Sequence, residues 1–262
     1  MAQLSDDGID LVEAALALAA LETPRRERQH YRALLADMAV AVADLGRGAE
    51  TAEARIGVLG DVLTGRFRVI GDDRDEDELS SANLMQVLDS RRGPALSLGL
   101  LWLHLGRGQG WAMDALAFPG QVLLRLSGID GQRIILDPFR GGCILHVAEL
   151  RDLLKASVGL AAELEPAHYA ALSNREVLLR LQTSVKLRYL RHAQLKHAVK
   201  TVEAMLLFAP GQVSLWREAG LMHLRLGDLQ AAIAALEVFV AHAPTLRPAT
   251  APVPCCRICG TN

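Results

Sequence analysis

Residues 8–21 run through Leu, Val and Ala with a single Glu and predict a first helix. Thr23 and Pro24 read as the N-cap and first residue of a second helix. That helix carries Tyr31, Leu34, Leu35, Met38, Val40, Val42 and Leu45, all but Val40 having another of the set three or four residues away, and Gly46 and Gly48 stop it. A third runs from Glu50 to about Leu63. Three Ala-rich helices in a row predict a helical layer. Residues 72–78 are an acidic run, and Leu84, Val87 and Leu88 then form a short helix up to Arg91-Arg92-Gly93. Pro94 opens a helix with Leu96, Leu98, Leu100, Leu101, Leu103 and Leu105. It is apolar almost all round, so it is expected to be the central buried helix.

Beyond Gly106-Arg107-Gly108-Gln109-Gly110 the period changes. Residues 112–118, 121–127 and 132–137 are short apolar segments separated by Pro119-Gly120 and by residues 128–131, which predicts three antiparallel strands. Gly141-Gly142 turns the chain, and a helix returns from His146 to Ala156. A phosphate loop needs strand, glycines, then helix; the order around Gly106–Gly110 is the reverse, which argues against one.

The end of the chain repeats. Tyr189, Ala198 and Pro210 recur as His223, Ala232 and Pro244, each 34 residues on. Trp216, Gly220, Gly227 and Asp228 stand where a tetratricopeptide repeat places a large residue, a small one and a tight turn. Each such unit buries its apolar face only against a neighbour. Two repeats fall short of the roughly three usually needed, so they are expected to dock on the middle of the chain.

The resulting expectation is an α+β, predominantly helical chain. Its parts are a helical segment over 1–70, a small helix-plus-antiparallel-sheet core over 71–165, two tetratricopeptide-type hairpins over 173–244 and a flexible tail over 245–262.

Composition narrows the function. Among 262 residues 51% are hydrophobic, 22% charged and 4% aromatic, enough for an apolar core rich in Ala and Leu helices. The net charge of -2 offers no global basic field, and Arg25, Arg26 and Arg28 read as a solvated helix face, so no nucleic-acid partner is expected. Asp6, Asp7 and Asp10 at the start are unlike a secretory signal, and no apolar stretch reaches the roughly 18 residues of a membrane span. Of four cysteines, Cys143 stands alone and Cys255, Cys256 and Cys259 crowd the tail. That is no disulfide framework and points to the cytoplasm. The tail CxxC lacks two further zinc ligands, and the acidic run fails the EF-hand spacing; neither a metal nor a cofactor is expected.

A cysteine transglutaminase or peptidase needs a Cys at the start of a buried helix, a His on a following strand and an Asp on the next. The order here, helix 94–105, strand 121–127 and strand 132–137, is that scaffold. Three segments carry a resemblance: residues 88–98 (Leu-Asp-Ser-Arg-Arg-Gly-Pro-Ala-Leu-Ser-Leu), Phe118-Pro119-Gly120-Gln121, and Leu136-Asp137-Pro138-Phe139-Arg140-Gly141-Gly142. Over about residues 10–245 the chain resembles the bacterial SirB-type proteins, which join a helical segment, a transglutaminase-like domain and tetratricopeptide repeats.

The resemblance places Ala95 in the nucleophile slot, Gln121 in the His slot and Asp137 in the acid slot. Ala has no nucleophile and Gln accepts no proton near neutral pH. Ser97 is turned about 200° from the slot, His104 lies near the other end of the helix, and Cys143 lacks a helix start. Asp137 is then expected to cap a turn or pair with Arg91 or Arg92. The function implied is a non-catalytic interaction or regulatory protein whose repeat surface, with Tyr189, Trp216 and His223, takes a protein or peptide partner. The alternatives are a transglutaminase-like or cysteine-peptidase-type enzyme with a displaced catalytic residue, and a scaffold without a ligand. The oligomeric state stays open.

Overall fold

A computed structural model describes residues 5–23, 26–72, 83–129 and 131–242. The described chain is α+β and mostly helical, and it falls into two compact units, one ending at Gly211 and one beginning at Gln212.

In the first unit, α1 (Leu11–Glu22) starts where the Asp10 carboxylate accepts from the N–H groups of Val12 and Glu13, both at 3.0 Å. It is buried on most of its circumference, which is why its apolar residues show no narrow stripe. Thr23 closes this helix instead of opening the next: its hydroxyl donates to Ala19 O at 3.0 Å. The second helix, α2 (Arg28–Leu45), begins after Glu27, and Pro24 lies outside the described residues. α3 (Ala52–Gly60), capped by Thr51, runs into a π-helical turn, Asp61–Arg66.

Two short parallel strands, β1 (Ile70–Gly71) and β2 (Arg92–Gly93), bracket α4 (Leu84–Ser90), which Asn83 caps. Of the acidic run only Asp72 is described; it pairs with Arg92 at 3.4 Å. The central helix, α5 (Ala95–Gly108), starts one residue after Pro94 and is buried along most of its length, Trp102 included. It packs on an antiparallel meander, β3 (Ala112–Ala115), β4 (Leu124–Ser127), β5 (Arg133–Asp137) and β6 (Cys143–Leu145), in that order. The fourth strand was not expected: three residues are too few for an alternation to show. The strand expected over 121–127 begins only at Leu124, leaving Gln121 in the bend before it. α6 (Val147–Val158) follows, with the His146 N–H donating to Glu149 Oε2 at 2.8 Å.

The first repeat is the hairpin α7 (Asn174–Arg191) and α8 (Leu195–Phe208), and α7 lies against α1 and α5. Asn174 fixes its start. Its side chain accepts from Arg107 at 2.8 Å and donates to Ile9 O at 3.1 Å, and its N–H donates to Asp6 at 2.7 Å.

The second unit holds α9 (Val213–Leu226) and α10 (Leu229–His242). Both bounds of α10 lie 34 residues beyond those of α8. The two repeats also end their first helices identically. Gln194 N–H donates to Tyr189 O and Ala193 N–H to Leu190 O; Asp228 N–H donates to His223 O and Gly227 N–H to Leu224 O. This pair of bonds is the Schellman termination, which needs a left-handed residue after the cap. Gly227 meets the need with φ +79°, and Ala193 takes φ +56°. Gly220 is small for a reason: a Cβ there would sit 2.6 Å from Leu236 and 3.3 Å from Ala232 O, so the glycine lets α9 and α10 close up. Pro244 and the cysteine-bearing tail lie outside the described residues.

Candidate functional site

Helix α5, which begins at Ala95, packs on the segments that carry Gln121 and Asp137. Ala95 is the first residue of α5, and Gly99 is one turn later on the same face. A Cβ on Gly99 would lie 3.0 Å from Val122 Cγ1 and 3.6 Å from Pro138 Cγ. The helix therefore rests on the neighbours of Gln121 and of Asp137, as the scaffold requires. The residues at the three expected positions are an alanine, a glutamine and an aspartate. Leu96, Gly99, Val122 and Leu124 line part of a mainly apolar crevice on this side of the helix.

Both carboxylate oxygens of Asp137 are engaged. The residue is buried, its Oδ1 accepts from the Phe139 N–H at 2.9 Å, and its Oδ2 accepts from Arg140 Nε at 2.8 Å. The expectation of a turn cap holds, but the arginine is Arg140, not Arg91 or Arg92. Arg91 donates to Phe67 O at 3.2 Å, and Arg92 pairs with Asp72. The hydrogen bond from Arg140 and the Asp137 charge raise the guanidinium pKa further.

The rest of the Asp137–Gly142 turn is taken up by packing. Pro138 approaches Gly99. Phe139 lies so close to Gly71 that a Cβ there would be 2.7 Å from its ring. Gly141 (φ +64°) sits beside Thr64, and Gly142 (φ +86°) lies directly against Trp102. The motif that carries the acid slot thus ties β5 to α5, to β1 and to the π-helical turn.

The other candidates lie apart from this arrangement. Ser97 is buried, and its hydroxyl has no hydrogen-bond partner among the described residues. His104 has its pKa lowered by burial, opposed by the charges of Asp10 and Glu13, which places it toward α1. Cys143 is exposed on β6, opposite Asp137 in the strand register. Among the described residues no group of three or more His, Cys, Asp or Glu could hold a metal ion. No helix among them is long and apolar enough to cross a membrane.

The repeat residues divide. Tyr189 does not line an open surface: it is buried, stacked on His197 with centroids 5.1 Å apart, and hydrogen-bonded to Glu22. Burial, with the Glu22 charge second, pushes its pKa up to about 12. Trp216 is half-buried on α9, and His223 Nδ1 lies 3.8 Å from Asp228 Oδ2. Sequence reading missed Glu22, whose carboxyl pKa is raised by burial although Asn83 and Tyr189 both donate to it.

Comparison with known proteins agrees with this architecture. Residues 29–183 match the family described as the transglutaminase-like superfamily. The chain belongs to that superfamily. Residues 185–252 match a tetratricopeptide repeat. Among bacterial relatives, a UPF0162 protein of Vibrio cholerae is 29% identical over 239 residues, 91% of this chain and 88% of its own length. A UPF0162 protein of Xylella fastidiosa (strain Temecula1) is 27% identical, covering 89% of this chain and 84% of its own. Protein SirB1 of Salmonella typhimurium is 30% identical over 161 residues, 62% of this chain and 60% of its own, so the SirB-type resemblance stands. No solved structure matches.

Proposed function

We propose that this transglutaminase-like chain is a non-catalytic, cytoplasmic interaction or regulatory protein that engages a protein or peptide partner through its tetratricopeptide hairpins. One observation carries the reading: Asp137, the remaining member of the triad pattern, spends both carboxylate oxygens on its own turn, while the other two positions hold Ala95 and Gln121. A triad that lacks its nucleophile loses about a millionfold in rate. A binding role fits the repeat match, since tetratricopeptide repeats generally serve protein–protein contact. Trp216 and His223 on the last hairpin are the binding residues in this reading, while Tyr189 anchors the first hairpin from inside.

Capture of a partner by the full chain from cell extract, compared with a Trp216→Ala/His223→Ala variant of unchanged helicity, tests the proposal. Loss of the captured protein in the variant is the expected result. Capture that the variant leaves unchanged would remove the repeats from the function. The enzyme reading is favoured by one fact, Cys143 standing opposite Asp137.

A further inference from the structure

The geometry points to a binding surface for acidic peptides where Arg66 and Arg91 lie over Phe67 and the exposed Arg68 follows it in the chain. The Arg66 guanidinium carbon lies 5.6 Å from the Phe67 ring centroid, and that of Arg91 lies 6.0 Å away. The β1–β2 pairing holds them together: Arg91 O accepts from the Ile70 N–H at 3.0 Å, and an Arg91 N–H group donates to Phe67 O at 3.2 Å. Arg66 and Arg68 are exposed, and neither has a carboxylate partner among the described residues. The fourth arginine of the corner, Arg92, is occupied by Asp72.

The backbone fixes where two of these arginines leave the chain. Among the described non-glycine residues only three have positive φ, and two of them are Arg68 (+55°) and Arg91 (+61°). Glycine or asparagine sits in this region with less strain. Both arginines stand at helix ends: Arg91 is the left-handed cap of α4, and Arg68 follows Phe67, the cap of the π-helical turn. A guanidinium held over an aromatic ring has fewer rotamers to lose and keeps its N–H edge free to fork onto a carboxylate. The Phe67 ring already carries two guanidiniums, which leaves it a poor platform for stacking a nucleic-acid base. Carboxylates, not bases, are the matching chemistry. This surface is on the transglutaminase-like unit and does not depend on the repeats having a partner.

Fluorescence anisotropy of a labelled hexaglutamate peptide, titrated with the full chain so that its own acidic run is present as competitor, tests the inference. Saturable binding at low salt that fades at high salt is expected. Arg66→Gln/Arg68→Gln should weaken it by about tenfold, and Arg47→Gln, remote in sequence and paired with Asp44, should leave it unchanged. Arg68→Gly separates a ligand role from a structural one: it should raise the thermal midpoint while weakening the peptide. Absence of saturable binding, equal binding by the double variant, or tighter binding of an RNA oligonucleotide of equal charge would each overturn the proposal.

Discussion

The Tyr189 hydroxyl donates to the half-buried carboxylate of Glu22, joining the last turn of α1 to the first repeat helix. Asn83, the cap of α4, donates to the same carboxylate at 3.0 Å. Three parts of the first unit therefore meet on one charge. Tyr189→Phe should destabilise the chain by about 1 kcal/mol, the net worth of one such hydrogen bond, measured by urea unfolding at neutral pH.

The same pair sets a pH dependence. Burial raises Glu22 above its ordinary 4.5, so above that pH the folded chain holds a proton that the unfolded chain has released. Its contribution to stability is then largest below 4.5 and declines as pH rises from 4.5 toward the folded value. Tyr189 repeats the pattern between its ordinary 10 and about 12. Glu22→Gln should remove the acidic step and Tyr189→Phe the alkaline one, as read from unfolding free energy against pH.

Ala193 and Gly227 occupy equivalent left-handed positions, one per repeat. An L side chain there is strained by about 1 kcal/mol, and glycine is not. Ala193→Gly should raise stability by about that much, and Gly227→Ala should lower it. Denaturant midpoints of the two variants check both signs.

Asp137 offers a contrast between structural and catalytic roles. Asp137→Ala leaves the Phe139 N–H and Arg140 without their acceptor and should lower stability by about 2 kcal/mol. An acid kept only to orient a catalytic histidine would not be expected to matter this much for folding. Thermal unfolding of the variant distinguishes the two.

Gly142 is held against Trp102 at φ +86°. Gly142→Ala should therefore be among the most damaging single changes in the molecule, through both backbone strain and the displaced indole. Loss of the cooperative near-ultraviolet transition of the tryptophans is the expected readout.

Much of the helical framework was legible because it follows from periodicity. Leu96–Leu105 announced a helix buried on all sides, and the 34-residue spacing of Ala198 and Ala232 announced two hairpins. What escaped depends on partners distant in sequence or on very short segments. Thr23 has a side chain suited to either end of a helix, and only the Ala19 carbonyl shows which end it serves. Cys143–Leu145 is a strand only because β5 lies beside it. The partner of Asp137 is three residues away, whereas Arg91 is drawn to Phe67 by a two-residue strand pairing that no sequence period reveals. Of the candidate site, the residue identities at Ala95 and Gln121 could be read directly, but the bonds from Phe139 and Arg140 to Asp137 could not.

The most direct test of the central claim, that no activated nucleophile remains, is iodoacetamide labelling of Cys143 followed by intact mass. The protein used should carry Ser at Cys255, Cys256 and Cys259, with Cys143→Ala as the blank. Labelling no faster than that of glutathione at the same pH is the predicted result. Labelling many times faster at pH 6, abolished by Asp137→Asn, would contradict it and return the chain to the enzymes.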